Sequence, residues 1–440
     1  MNLREKAIRG IKWTTLSTVI SAGVQLLQIS ILARYLEKSD FGIMAIIMVV
    51  IGFSRMLSDL GVSSAIIHKQ KVTQNQLSTL YWLNIIIACL IFIIIVLLSP
   101  MIAKFYNQKL LSTLIPLVSI VIIIQAFGKQ FLVLFEKELK FNIVAKIDIF
   151  AVFSGFILAI ILAINGFRIY ALIYPTILVI SLKSLGYVFF GLKYHKPKIY
   201  FNLKEVKEFI IFGIYQIGNG IINYFNSQFD IIIIGKLLGS ETLGLYTIVK
   251  QLIMRPAQII NPIVTRVTFP TMAKIQNNTE KLKEIYLKTV YYLSIINFPI
   301  YILMIIFSKE IILLFLGKEW LKGDILFQLL SIYALIRSIG NPIGSLVLAK
   351  GKPQYEMYWN IGLFLLIPIT IYIGTSRGIM GVAFAWIVLQ IVLIMPAWYF
   401  LIKKLCGAKL IEYLICIIKP LIISFIIGVI IFKIKGLLIG

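Results

Sequence analysis

The sequence predicts an all-α integral membrane protein with about 13 (12–14) transmembrane helices, on three observations. Hydrophobic side chains make up 60% of the 440 residues and charged ones 14%, against roughly 45–50% and 25% in an ordinary soluble domain. The apolar residues gather in blocks of about 20 or more, the length an α-helix needs to cross hydrocarbon about 30 Å thick. The basic surplus, a net charge of +25, sits in short clusters between those blocks rather than on a nucleic-acid-binding surface.

Taken in order, the spans fall at 11–33, 41–60, 79–99, 110–133, 143–164, 169–192, 209–235, 243–268, 288–308, 325–349, 357–374, 379–401 and 412–432. The first is too long and too hydroxyl-rich for a signal peptide and carries no small-residue cleavage site, so it reads as a permanent helix. With the N-terminus in the cytoplasm, the inner connections hold roughly twice as many Lys and Arg as the outer ones, which sets that orientation by the positive-inside rule. No connection is long. The outer stretch 308–324 is too short for a folded domain, and the inner stretches 193–208 and 270–287 are expected to form short, basic, amphipathic surface helices. Function must therefore lie among the helices.

An internal repeat divides them. With a shift of 202, the segment from Arg34 to Gly42 falls on that from Lys236 to Gly244: a basic residue, a short polar turn, then an apolar residue and glycine opening the next helix. Span 1 carries Thr14, Ser17, Ser21, Gln25 and Gln28, and span 7 carries Gln216, Asn219, Asn223, Ser227 and Asp230, each member 202 from its counterpart and each set on one helical face. A second shift of 212 puts Gly166 on Gly378 and Ala171 on Ala383. The expected organisation is an N-terminal six-helix lobe, 1–196, a C-terminal six-helix lobe, 197–404, and an extra segment, 405–440, with a cavity between the repeats.

Charges at bilayer depth are costly and usually face water. Arg34, Lys129, Asp148, Arg266 and Lys419 lie near span ends, within snorkelling reach of the headgroups. Lys250, Arg255 and Arg337 fall near mid-span, where a water-filled cavity is the better account; Lys183 is similar but nearer the inner side. Arg55 and Asp59, four apart on span 2, either neutralise each other or serve the cavity. Span 8 holds a polar row, including Lys250, Gln251, Arg255 and Asn261, with Pro256 and Pro262, so it should line the cavity and bend. The mid-span charges are mostly cationic and favour anions such as phosphate. The amide and hydroxyl stripes of spans 1 and 7 suit sugar hydroxyls. Asp230, the sole acid on its face, either binds a coupling cation or proton or pairs with a nearby base.

Several chemistries are missing. Cys89, Cys406 and Cys416 form no CxxC pair, His68 and His195 are far apart, and neither a phosphate-binding G-x-x-x-x-G-K-[ST] loop nor an Asp-x-Asp occurs. No catalytic residue, metal site or cofactor is expected, and the chain does not read as an enzyme.

The segments Asn2 to Lys6, Leu32 to Leu36 with Asp40-Phe41-Gly42, Asp59-Leu60-Gly61, Phe229-Asp230-Ile231 with Gly235 to Gly239, Leu243 to Tyr246, and Leu348 to Pro353 together resemble the polysaccharide transporters (Wzx-like flippases) of the multidrug/oligosaccharidyl-lipid/polysaccharide (MOP) exporter superfamily. The resemblance covers nearly the whole chain. It implies a MATE/MOP-like fold of two six-helix lobes around a central cavity. It also implies alternating access that flips undecaprenyl-diphosphate-linked oligosaccharide across the bacterial inner membrane. Many relatives have fourteen spans where this chain shows thirteen. On this reading Arg255, Lys250, Arg337 and Arg55 hold phosphate or acidic sugar, while Asn219, Asn223, Ser21 and Gln25 bind hydroxyls. The expected partners are the lipid-linked oligosaccharide, membrane lipids, H+ or Na+ at Asp230, and polysaccharide polymerase machinery, with no nucleic acid. Two alternatives stand beside it: a cation-coupled multidrug antiporter relying on Asp230, and a membrane polymerase or ligase, which would need a large outer loop with acid/base residues.

Overall fold

The computed structural model describes residues 3–59, 62–69 and 72–439, and among them no strand occurs. The chain divides into two compact units, Met1–Gly244 and Leu245–Gly440. In the first unit the helices are α1 (Leu3–Leu32), α2 (Lys38–Asp59), α3 (Val62–His68), α4 (Gln74–Tyr106), α5 (Leu111–Lys137), α6 (Phe141–Ile164), α7 (Tyr170–Gly191) and α8 (Lys207–Leu237). Helix α9 (Gly239–Lys274) begins there and runs into the second unit. The second unit continues with α10 (Thr279–Ile306), α11 (Ser308–Phe315), α12 (Asp324–Ser338), α13 (Pro342–Ala349), α14 (Pro353–Thr375), α15 (Gly378–Ala397), α16 (Lys404–Cys406) and α17 (Leu410–Ile439).

Eleven of the described helical segments are long and apolar enough to cross a membrane. Their limits exceed the expected spans mainly at polar ends; α4, for example, takes in 33 residues where the apolar block alone gave 79–99. A capping box starts it: the Gln76 N–H donates to Thr73 Oγ1 (3.2 Å) and the Thr73 N–H donates to Gln76 Oε1 (3.1 Å), while Asn107 ends it at φ 53°. Spans 7 and 8 correspond to α8 and α9, of 31 and 36 residues. Both have the length to cross, but neither is among the eleven segments that also meet the apolarity requirement. The expected surface helices differ. Residues 193–202 run without helix up to a short 3-10 turn at Leu203–Val206, because Pro197 lacks the N–H a helix needs. Residues 270–274 complete α9, and α10 starts at Thr279 behind its cap Asn278, whose side chain accepts from the Lys281 N–H (3.0 Å).

Within the first unit α1 packs on α6, α6 on α7, α7 on α5, and α5 on α4 and α2, with α8 against α2. Glycine permits the tightest of these contacts: a Cβ on Gly128 would stand 2.5 Å from Ser184 Oγ between α5 and α7, and one on Gly52 would stand 2.6 Å from the Tyr224 hydroxyl, which donates to the Val49 carbonyl (2.6 Å). The closest crossing is between α2 and the first turns of α9. A Cβ on Gly42 would lie 1.8 Å from the Ser240 carbonyl oxygen, and one on Gly244 would lie 1.7 Å from that of Lys38. Both pairs are related by the 202-residue shift, so the repeat is expressed as a reciprocal backbone contact. The other shift also has a structural counterpart, because Gly166 and Gly378 both take left-handed φ, 75° and 65°. In the second unit α10 packs on α17 and α12, α12 on α15, and α15 on α14.

The segment after α7 is held to the start of α4. The Trp82 indole N–H donates to the Lys198 carbonyl (2.9 Å), the Lys198 N–H donates to Ser78 Oγ (3.0 Å), and His195 Nδ1 lies 2.5 Å from Gln74 Oε1 and donates to it. His195 is 2% exposed, and burial lowers its pKa from 6.5. The folded state therefore takes up protons less readily than the unfolded chain; the stability from neutral His195 is complete above pH 6.5 and is lost as pH falls through the lowered value. Amide protection factors in 193–206, taken relative to the intrinsic exchange rate at each pH, should fall between pH 7 and 5, and His195→Phe should remove that fall. An unchanged pH profile in the variant would refute this account.

Candidate functional site: cationic and aromatic clusters among the helices

In the first unit, two cavities of about 300 and 490 Å³ adjoin through shared walls formed by Arg55 of α2 and by Gln125 and Lys129 of α5. The smaller is further lined by Asp59 and Asn84, the larger by Gln28, Glu136, Asp148, Lys183 and Tyr187. Why these residues meet follows from helix geometry. Gln125, Lys129, Leu132 and Glu136 recur at spacings of four, three and four, one stripe of α5. The Asp148 carboxylate faces α7, accepting from the Tyr187 hydroxyl (2.7 Å) and pairing with Lys183 (2.9 Å). Lys129 Nζ stands 4.0 Å from Asp59, which also accepts from the Ser63 hydroxyl.

This corrects two expectations. Lys129 and Asp148 do not serve only as snorkelling end charges; both also line a half-open cavity of the first unit. Arg55 and Asp59 do not neutralise each other, since among the described residues no ion pair joins them and Asp59 instead lies beside Lys129. Arg55 Nε and Nη2 are buried with no hydrogen-bond partner among the described residues, as is Gln125 Oε1. Of the other predicted residues of this unit, Ser21 is half-buried, Gln25 and Asn223 are exposed, and Asp230 is 1% exposed, its carboxylate accepting from the Ile231 N–H (2.9 Å). The side chain of Asn219 lies outside the described residues.

In the second unit, Lys250 and Arg337 are the two ends of one chain of contacts. Lys250 Nζ sits 5.6 Å from the Tyr246 ring centroid, and the Tyr246 hydroxyl accepts from the Trp386 indole N–H (3.1 Å). The Trp386 ring lies 5.1 Å from that of Tyr333, whose hydroxyl accepts from Arg337 (2.6 Å). Helices α9, α15 and α12 are thereby tied, with Tyr246, Tyr333 and Trp386 buried while Arg337 remains exposed and Lys250 half-buried. Arg255, half-buried one turn further along α9, precedes the Asn261–Asn297 side-chain hydrogen bond (3.1 Å). A buried aromatic base fixes the reach of each cation, so the charges are presented from a rigid platform.

The sequence reading missed Gln125, Glu136, Tyr187 and the three aromatic residues. The polar stripe of α5 was readable at 125, 129 and 136 inside an apolar block. Nothing in the spacing of Tyr246, Tyr333 and Trp386 distinguishes them from ordinary core.

Comparison with known proteins places the chain in a family. Residues 31–323 match the family model described as "Polysaccharide biosynthesis protein". The lipopolysaccharide biosynthesis protein WzxC of Escherichia coli (strain K12) is 32% identical over 438 residues, covering 98% of this chain and 89% of its own. The teichuronic acid biosynthesis protein TuaB of Bacillus subtilis (strain 168) is 31% identical over 437 residues, 99% and 90% of the two chains. Among solved structures, the lipid II flippase MurJ in an inward closed conformation superposes with a TM-score of 0.75 at 16% identity, covering 97% of this chain and 98% of that one. An inward-facing MATE-family transporter of the MOP superfamily gives 0.63 at 18%, covering 84% and 92%. The fold is thus that of these multi-pass transporters, and the chain belongs to the polysaccharide biosynthesis protein family.

Proposed function

We propose that this protein is a flippase that moves undecaprenyl-diphosphate-linked oligosaccharide across the bacterial inner membrane by alternating access. What supports the reading is the set of cations carried within long helices, Arg55 of α2 in the first unit and Lys250 and Arg255 of α9 and Arg337 of α12 in the second. Such charges are expensive in lipid and repay their cost where they meet a charged ligand. Family membership over nearly the whole chain agrees with it, and the relatives named above act in lipopolysaccharide and teichuronic acid biosynthesis. The chain acts as a transporter and not as an enzyme. Its N-terminus is cytoplasmic, its lobes are 1–196 and 197–404 with 405–440 appended, and it delivers the glycan to polymerase machinery outside.

In this reading Arg255, Lys250 and Arg337 hold phosphate or acidic sugar, Arg55 contributes from the first unit, and Ser21, Gln25, Asn219 and Asn223 bind hydroxyls. Buried Asp230 takes the coupling proton or Na+. The test is reconstitution of the full chain in vesicles with defined lipid-linked glycans, with and without proton or sodium gradients. Transport should require the protein and respond to one gradient, and Asp230→Asn should remove that response. Vesicles that move no glycan-lipid under any gradient would overturn the reading.

A further inference from the structure

Three candidate membrane spans begin or end at one small pocket of the first unit: Arg9 opens the span of α1, Lys137 closes that of α5, and Phe141 opens that of α6. The pocket, of about 170 Å³, is lined by Arg9 and Trp13 of α1, by Glu138 and Lys140 of the turn between α5 and α6, and by Asn142 of α6. The local sequence explains why it forms. Gly10 lets the start of α6 approach α1, since a Cβ there would stand 2.6 Å from the Phe141 ring. The turn passes through Leu139 at φ 58°, a strained conformation for a leucine, and is closed by the Lys140 N–H donating to the Phe135 carbonyl (2.8 Å). Arg9 and Trp13 are one helical turn apart, as are Asn142 and Lys146 on α6, and the Lys146 ammonium sits 5.7 Å from the centroid of the Trp13 ring. Of the charges gathered here, Glu138 pairs with Lys140, whose ammonium also lies 3.3 Å from the centroid of the Tyr194 ring. Arg9 and Lys146 are both exposed, and among the described residues no ion pair joins either to a carboxylate.

Two cations without acidic partners, an indole and an amide, set where apolar spans end, are the groups that hold a lipid headgroup: the cations meet a phosphate charge, the amide donates to its oxygens, and the indole is at home at the headgroup level. Size decides how much of a lipid enters. The pocket falls below the range of about 300–1,000 Å³ that encloses drug-sized ligands, so it takes a single phosphodiester and not a glycan head. Charge decides which lipid. A choline headgroup carries its own cation, which Arg9 and Lys146 repel, whereas an anionic headgroup leaves the phosphate charge unopposed. We propose that this pocket binds the phosphodiester of an anionic phospholipid, such as phosphatidylglycerol, from the leaflet that faces the N-terminus, with Arg9 and Lys146 as its cations and Asn142 as a neutral donor. The acyl chains stay in the bilayer. The bound lipid is a resident of the protein rather than its cargo, so the proposal goes beyond the flippase reading and does not depend on it.

The test uses the purified full chain in vesicles of phosphatidylcholine and phosphatidylglycerol, one or the other carrying brominated acyl chains that quench a neighbouring indole. The contribution of Trp13 is the quenching lost in Trp13→Phe. Half of that contribution should be quenched at a mole fraction of brominated phosphatidylglycerol about twentyfold below the one needed with brominated phosphatidylcholine, about fivefold for each basic side chain at the membrane surface. Arg9→Gln and Lys146→Gln should each reduce this preference about fivefold, and Arg9→Lys should keep it within about twofold. Lys403→Gln, which removes an exposed lysine beside Trp398, should leave it unchanged. Millimolar inorganic phosphate should not relieve the quenching, and undecaprenyl diphosphate should relieve it no better than unbrominated phosphatidylglycerol at the same mole fraction. The proposal is overturned by equal quenching from the two brominated lipids, or by a Lys403→Gln effect as large as that of Arg9→Gln, which would mean diffuse surface charge. Relief by inorganic phosphate would overturn it in favour of a soluble anion, and stronger relief by undecaprenyl diphosphate in favour of a transported lipid. If Arg9→Gln does not fold, Lys146→Gln and the comparison of the two lipids on wild type decide.

Discussion

Replacing Gly244 by leucine should prevent the protein from folding to a stable, extractable state, and Gly244→Ala should already lower its thermal stability in detergent by several degrees. At this position a Cβ would fall 1.7 Å from the Lys38 carbonyl oxygen and 2.7 Å from its carbon, so the added atom meets backbone that cannot rotate aside. Overpacking in an interior costs about 1–3 kcal/mol even where side chains can adjust, and a collision with main chain exceeds that range. Gly42→Ala should behave alike, since its Cβ would lie 1.8 Å from the Ser240 carbonyl oxygen. The informative control is Gly362→Ala in α14, where nothing lies within 4 Å of the added atom; its melting temperature should stay within a degree or two of wild type. Equal melting temperatures for Gly244→Ala and Gly362→Ala, measured by thiol-reactive or intrinsic fluorescence, would show that α2 and α9 do not cross this closely.

That crossing also shows what the sequence could convey. The 202-residue shift was visible because both copies need the same local chemistry, a polar turn followed by a glycine that lets two helices touch, and such needs are met by residue type alone. The pairing of Gly166 with Gly378 was legible for the same reason, as both occupy a backbone conformation that penalises a side chain. Span limits were less exact, because polar ends such as Gln74–Leu77 of α4 belong to the helix yet carry no apolar signal.

The site was legible in proportion to its cost. Arg55, Lys250, Arg255 and Arg337 stand out as candidates because charges in apolar blocks are rare and need a reason. Their rarity is legible in the sequence; their partners are not. Asp59 was matched to Arg55 by i,i+4 spacing, yet it lies beside Lys129, seventy residues away, and such long-range choices depend on how helices rotate against one another. Depth alone places Lys129 and Asp148 at the membrane surface, whereas the stripe through Gln125 and Glu136 turns that face of α5 to a cavity of the first unit. Tyr246, Tyr333 and Trp386 were hidden for a different reason. In a chain with 13% aromatic residues, only three-dimensional contact separates a cation's platform from ordinary packing.

Arg255→Ala should reduce export of the lipid-linked glycan about ten- to a hundredfold while leaving the amount of folded protein in the membrane unchanged. The magnitude is that of one or two hydrogen bonds to a charged group, about 1.5–3 kcal/mol, each 1.4 kcal/mol being a factor of ten. The amount of folded protein should be maintained, because Arg255 is half-buried and its truncation empties no fully buried core position. The opposite pattern is expected for Trp386→Ala: loss of a large buried ring that joins α15 to α9 and α12 should destabilise the second unit by about 3–5 kcal/mol and lower export only through protein level. The two variants together separate ligand contact from scaffold. Arg255→Lys should recover part of the loss if the group met is an anion, since the charge is kept and only the planar fork is lost. Export that is normal in Arg255→Ala at equal protein level would remove this residue from the substrate's path, and recovery that is no better with lysine than with glutamine would show that its charge is not what matters.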